Sequence, residues 1–409
     1  MPQLDTDFVR AHFPAFAEAD LQGQYFFENA GGSYTCQPVI DRLTRFYHSR
    51  KVQPYGAYRA SELAGAEMDE ARTRLAALMG VQTEQLSFGP STTANTYVLA
   101  QAFAEKLGPG DAIIVTNQDH EANSGPWRRL AARGVELREW QIDRDSGHLD
   151  VDALWALVDE RVKLVAFPHC SNVVGEVNPV AEICAELRKA GIWSAVDGVS
   201  YAPHGFPDLG ALGADIYLFS AYKTYGPHQG IMVLSPQICD WLPNQAHYFN
   251  ADVPYKRFTP AGPDHAQVAA CAGMADYIDA LFAHHFPGTD AAPAARMAAV
   301  HDLMRAHETA LLQPLLDYLR ARNDVRLLGP TVAADRAPTV AITHERPGPE
   351  LAKTLARAGI MAGGGSFYAN RALQGQGIDP NHGVLRLSFV HYTSQADLDR
   401  LLSALDGHL

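Results

Sequence analysis

Between residues 110 and 235, short runs of branched and aromatic residues alternate with stretches whose apolar positions recur every three or four residues. That alternation predicts a mostly parallel sheet flanked by helices. LVAFP (164–168) reads as a buried strand, and after a loop Asn178 and Pro179 are expected to cap and start a helix. Its apolar face is Val180, Ile183, Cys184 and Leu187, and Gly191 ends it. IWSAVD (192–197) is then the next strand, completing a crossover whose default hand is right. AIIVT (112–116), DIYLF (215–219) and IMVLS (231–235) extend the sheet, and helical patterns at 65–79 and 94–107 precede it. From about residue 266 the texture changes: alanine-rich helical stretches (266–284 and 291–322) lead into the strand-like VRLLG, TVAITH and VLRLSF. These predict a smaller α+β unit. PAGPDH (260–265) is the last strong loop signal before it, which places the join in a long helix near 265–290.

A length of 409 residues favours two domains, or one large domain with a smaller one appended. With 47% hydrophobic and 19% charged residues, the chain has the balance of a globular enzyme. No apolar run approaches the ~18 residues of a membrane span, and MPQLDTDFVRAHFPAF lacks the basic start and apolar block of a secretion signal. A cytoplasmic location is therefore expected. A net charge of -13 disfavours nucleic acid or an anionic membrane as partner. Cys36, Cys170, Cys184, Cys239 and Cys271 are scattered without a CxxC pair, which predicts reduced thiols, and no histidine spacing predicts a metal.

Ligands of open α/β sheets sit beyond the carboxyl ends of the strands, so the residues that follow each strand are the ones to collect. After 164–168 come His169, Cys170, Ser171 and Asn172; 192–197 ends at Asp197; after 215–219 come Ser220, Tyr222 and Lys223. Lysine is scarce, with seven in the chain, and of these Lys223 alone follows a strand and precedes a Gly-Pro turn. An amine, a carboxylate and an amide on one crevice suit a pyridine aldehyde, namely pyridoxal phosphate. The amine forms a Schiff base, the carboxylate keeps the ring nitrogen protonated, and the amide reaches the ring hydroxyl.

At this point the chain resembles the class V aminotransferase family of pyridoxal-phosphate enzymes, in its cysteine desulfurase-like group. YFFENAGG (25–32), SFGPSTTANT (87–96), DHEANSGPW (119–127), SNVVGEVNPV, VDGVSYAPHG, FSAYKTYGP and GVLRLSFVHY carry the likeness, in the family's order. The resemblance implies the transferase fold type I, with a mostly parallel seven-stranded sheet flanked by helices and a smaller α+β C-terminal domain. It implies a large domain over 16–289 and a small one over 290–409, on which segment 1–15 packs. It also implies pyridoxal 5'-phosphate as cofactor and a homodimer.

Carried over by position, the resemblance makes Lys223 the Schiff-base lysine and proton-transfer base, pairs Asp197 with the ring nitrogen, and stacks His120 on the ring. Asn172 and Ser200 stand at the ring hydroxyl. Ser91, Thr92, Thr93, Ser220 and Tyr222 hold the phosphate end. Arg386, helped by Asn29, clamps the substrate carboxylate, with Tyr368 nearby. Tyr25, Tyr58, Phe367 and Tyr368 are expected to line a substrate pocket or to pack, and GGG (363–365) to supply loop freedom.

Departures bear on the reaction. Where desulfurases of the family carry a mobile cysteine, this sequence has SFYAN (366–370), and no cysteine follows Cys271. Ser200 replaces a glutamine or histidine, and Gly262 stands where a threonine is often lent to the neighbouring subunit's phosphate. The leading expectation is an enzyme acting on an α-amino acid as a carbon-sulfur lyase without a catalytic cysteine. An aminotransferase or epimerase, and a non-catalytic pyridoxal-phosphate-binding protein, are the alternatives.

Overall fold

Continuous apolar runs of five to seven residues need cover on both faces, and helices provide it here. The computed structural model describes residues 2–409. In chain order its strands are β1 (Tyr25–Phe26), β2 (Leu86–Gly89), β3 (Ala112–Thr116), β4 (Glu136–Trp140), β5 (Val162–Pro168), β6 (Trp193–Asp197) and β7 (Ile216–Ser220). They continue with β8 (Gly230–Leu234), β9 (Arg326–Leu327), β10 (Thr339–Thr343), β11 (Ile360–Met361), β12 (Gly363–Gly365) and β13 (Val384–Ser388). The central sheet has seven strands in the order β2-β8-β7-β6-β5-β3-β4. Its β3, β4, β5, β6 and β7 are parallel, and β8 runs against both of its neighbours. The mostly parallel, helix-flanked sheet expected of fold type I is what the structure has. Every residue of β3, β6 after Trp193, β7 and β8 is buried. At the edge, β4 reads ELREW, and Arg138 pairs with Glu136 and Asp159 there. Charges on an edge strand discourage further pairing.

The expected crossover helix spans Val180–Lys189 and buries Val180, Ile183, Cys184 and Leu187. Asn178 is not its cap. Its amide donates instead to Gln118 Oε1 at 2.9 Å and Pro168 O at 2.8 Å, tying the loop after β5 to the one after β3. The long helix expected near 265–290 is divided at Cys271 into His265–Ala270 and Ala272–His285. Gly273 lies so close to the helix Gln37–Ser49 that a Cβ would stand 2.5 Å from Val39 N. The longest helix, Pro293–Arg320, leads into a four-stranded antiparallel sheet, β12-β13-β10-β9.

The chain's beginning is sewn to its end. β1 pairs in parallel with β11, and Glu28 bridges to Ser388. Earlier still, Arg10 pairs with Asp397 and donates to Tyr392 O, whereas Asp5 meets His284 and His285. The first residues thus wedge between the C-terminal unit and the helix Ala272–His285, touching both. No helix is long and apolar enough to cross a membrane among the described residues.

Candidate active site

Register alone brings much of the site together. Pro168 on β5 lies beside Asp197 on β6, which lies beside Leu218 on β7, so the loops after these three strands open on one rim. Lys223 closes a single 3-10 turn, Ala221–Lys223, directly after Ser220. Gly226 is required just beyond: its N–H donates to Ala221 O at 2.9 Å, and a Cβ there would lie 2.5 Å from Met274 Sδ. Thr93, His120, Ala122, Asn172, Tyr222 and Lys223 line both an outer cleft of about 590 Å³ and the recess of about 60 Å³ into which it narrows. Asp197, Thr92, Ser200, Ser220 and Cys170 line the recess.

Burial and the cationic Arg386 bring the Lys223 ammonium down to about 8, and the carboxylates of Asp197 and Glu28 oppose the fall. Burial raises Asp197 to about 6, against the pull of the Val199 N–H and of Lys223. Its Oδ1 accepts from Val199 N at 2.8 Å, so the carboxylate braces its own turn as well as facing the recess. His120 is the N-cap of the helix Glu121–Arg128, and its Nδ1 accepts from Ala122 N at 3.0 Å. Burial, then Lys223 and Arg386, lower it to about 3, which keeps the ring neutral. Asn172 donates to Phe367 O at 2.9 Å, while its buried Oδ1 has no partner.

At the far end of the recess, the helix Thr92–Ala104 points its N-terminus inward. Ser91 is its N-cap and accepts from Ala94 N at 3.1 Å. Thr92 Oγ1 and Ser220 Oγ are 2.8 Å apart, and Thr93 lines the opening. Free amides, a favourable dipole and three hydroxyls make a seat for a doubly charged anion.

Arg386 projects from β13, 2% exposed. One side of its guanidinium meets Glu28 Oε1 at 2.8 Å, another donates to Asn172 O at 3.2 Å, and its carbon lies 3.8 Å from the Phe367 ring centroid. Phe367 and Tyr368, both with left-handed φ (54° and 56°), hold the lip, where Tyr368 is 75% exposed and its ring centroid is 5.3 Å from that of His120. Of the other aromatics weighed for a pocket, Tyr25 lines a separate hollow beneath the N-terminal segment and Tyr58 precedes the helix Arg59–Leu78.

Two expectations need correcting. Asn29 does not line the cleft: its amide is committed to Lys223 O at 3.4 Å and to the Tyr392 hydroxyl at 2.6 Å, so it braces the lysine turn from behind. GGG is not a free loop. It is β12, with Gly363 opposite Arg386 and Gly364 opposite Leu385. The sequence reading missed Glu28, whose only signal was an acid beside the Asn29 to which a role was given. Burial pushes the Cys36 and Cys170 thiols up to about 12, and all five cysteines are buried.

The aminotransferase class-V family model matches residues 25–238 and 291–401. An aminotransferase-like protein FGM3 of Gibberella zeae is 32% identical to the chain, with 97% of each chain covered. A probable cysteine desulfurase of Pseudomonas aeruginosa is also 32% identical, over 98% of this chain and 97% of its own. Among solved structures, the apo cysteine desulfurase of Thermococcus onnurineus superposes with a TM-score of 0.85 at 23% identity, over 100% of this chain and 98% of its own.

Proposed function

We propose, for a chain that belongs to the aminotransferase class-V family and is therefore a pyridoxal-phosphate-dependent enzyme, that the substrate is a free α-amino acid bearing sulfur at its β-carbon. The proposed reaction cleaves that carbon-sulfur bond without a catalytic cysteine. The observation that carries this reading is the pairing of a buried lysine and arginine with a lip that presents Tyr368 instead of a thiol. The five buried cysteines offer no ready nucleophile, because the thiolate is the reactive form.

The residues fit the cofactor. The unpartnered Asn172 Oδ1, the carboxylate of Asp197 and the helix N-terminus with Thr92, Thr93 and Ser220 supply an acceptor, an anion and an anion seat where a hydroxylated, phosphorylated pyridine needs them. When bound through Lys223, pyridoxal phosphate supplies an electron sink that weakens the bonds at the substrate's α-carbon.

With the cofactor bound, Lys223 would take the α-proton at Nζ as the sulfur leaves the β-carbon with the bonding pair, and would pass that proton to the departing thiolate. The three-carbon enamine left behind would react with water to give pyruvate and ammonia, and a value of about 8 poises the lysine for the transfer. Asp197 would keep a positive charge on the ring nitrogen, and His120, neutral, would offer a flat face to the ring. Arg386 binds the substrate carboxylate and orients the α-carbon toward Lys223. Ser91 caps the anion-binding helix, Ser200 and Tyr222 close the recess, and Tyr368 covers its mouth. Transamination uses the same groups and is the second reading, favoured by the name of the Gibberella relative.

The test mixes the cofactor-loaded protein with cysteine, cystine, cysteine conjugates and common amino acids, following the cofactor spectrum and the keto acid formed. Pyruvate released from sulfur substrates with an unchanged cofactor supports the lyase. Accumulation of pyridoxamine phosphate that needs a keto acid for recovery overturns it in favour of transamination. We further propose a homodimer, for whose interface Tyr248 and Phe249, 88% and 66% exposed, offer large apolar rings. Sedimentation that finds only monomers overturns that part.

A further inference from the structure

We infer that Glu28 selects the substrate by charge: it occupies one side of the carboxylate clamp and so turns away amino acids with an anionic side chain. The inference rests on the reading of the cleft as an amino-acid site and adds the class of side chain that it accepts.

Glu28 is held in place by the backbone. Phe27 O accepts from Ser388 N at 2.8 Å and Asn29 N donates to Ser388 O at 3.2 Å, so Glu28 runs alongside the strand that carries Arg386. Two glycines make room for its carboxylate. A Cβ on Gly31 would lie 2.7 Å from Glu28 Oε1, and one on Gly363 would collide with Oε2. Gly363 is also the residue paired with Arg386 across β12 and β13. The cradle is therefore built from the turn that follows Glu28 itself and from β12, each leaving space for this side chain, with Arg386 of β13 closing it.

The charges in the cleft then decide what fits. Its lining cations are Arg386 and Lys223, and its lining acids are Glu28 and Glu121. Glu121 stands at the rim, half-exposed, with Arg371 at 3.5 Å. Glu28 is the inner acid, and it already takes one side of the Arg386 guanidinium. The buried Arg386 Nε has no partner and remains available to a single carboxylate. Glu28 Oε2 is buried and unpartnered too, which favours a ligand that brings a hydrogen-bond donor to it. With Lys223 engaged by the cofactor, a second carboxylate on the ligand finds no lining cation without an acidic partner, and it meets Glu28 in a poorly screened cleft. At an effective dielectric of ~20, two like charges some 5 Å apart cost enough to change affinity tenfold or more.

The experiment compares isosteric pairs that differ only in charge: glutamine with glutamate, and asparagine with aspartate. Each is titrated into cofactor-loaded wild type, Glu28→Gln and Glu28→Asp, following the cofactor absorbance and, on the same samples, the heat of binding. In wild type the amide of each pair is expected to bind more tightly. In Glu28→Gln that preference is expected to fall about tenfold or more, and Glu28→Asp is expected to keep most of it. Three results overturn the inference: a wild type that prefers the carboxylate, a preference unchanged in Glu28→Gln, or an equal loss for both members, which makes Glu28 a mere prop for Arg386. Failure of the proposed function looks different: it appears in the turnover assay as pyridoxamine phosphate that builds up and needs a keto acid for recovery, while the binding ratio within each pair is still read by calorimetry.

Discussion

The inner wall of the cleft and its outer lip are made in different ways. Asn172 and Lys223 follow β5 and β7, and Asp197 ends β6 between them, so the ladder that holds the sheet also spaces these groups. Arg386, Glu28, Phe367 and Tyr368 come from a second sheet, an N-terminal crossing segment and a left-handed pair of aromatics, joined by a backbone bridge at Ser388 and by side-chain contacts. The wall gains precision from a buried sheet in which every neighbour is fixed. The lip is held instead by contacts between segments distant in sequence. On the proposed function this is a division of labour, with proton transfer assigned to the wall and substrate choice to the lip.

The sharpest way to break that comparison is Lys223→Ala. It is expected to lower turnover by about 10⁴-fold or more and to remove the absorbance of lysine-bound cofactor, read in a steady-state assay and a spectrum. Retained turnover would refute the whole assignment. Arg386→Ala comes next, with an expected loss of about 10² to 10³ in kcat/KM for an amino acid, because it also leaves the half-buried Glu28 carboxylate without its cation. If the loss falls on kcat alone with KM unchanged, the lip is doing the wall's work.

A pH experiment separates the halves through stability. In the cofactor-free protein Asp197 titrates at about 6 against an ordinary 3.8, so the folded state keeps this proton longer than the unfolded chain does. The stability it contributes is full below about pH 4 and is lost as pH rises through 6. Asp197→Asn removes that loss. The cofactor-free variant is therefore expected to exceed wild type by about 1 to 3 kcal/mol at pH 8 in urea unfolding, with the gain vanishing near pH 4, while activity is abolished. The smallest effect belongs to Tyr368→Phe, expected within about twofold of wild type in kcat/KM, since the hydroxyl sits on a residue 75% exposed. A loss approaching that of Lys223→Ala would make the lip part of the reacting machinery.

Legibility in the sequence followed the same division. β3, β5, β6, β7 and β8 announced themselves as apolar runs because both faces are covered, and the residues after them could be gathered by rule. β2 and β4 were not anticipated: LSFG is short, and ELREW carries its charges because it is an edge. Asn178 looked like a helix cap, but a buried amide took a stronger pair of acceptors across the loop. The lip was harder. Glu28 and Arg386 are 358 positions apart, and no periodicity encodes a contact of that kind. The resemblance sets Asn29 beside the substrate carboxylate, whereas alternation along an extended segment turns Glu28 inward and Asn29 away. GGG (363–365) reads as slack from sequence, yet Gly363 leaves room for the Glu28 carboxylate and Gly364 for the start of the helix Gly348–Arg357.

The seam between the chain's two ends sets an order of events during synthesis. A polypeptide leaving the ribosome N-terminus first has displayed Lys223 and all seven strands of the central sheet by residue 234. β1 must wait unpaired until residues 360–361 emerge, and Glu28 until 384–388. Domains generally fold as units as they appear. The half of the cleft that would anchor the cofactor is thus complete in the nascent chain long before the half that would grip a substrate, and the last strand made is the one that arms it.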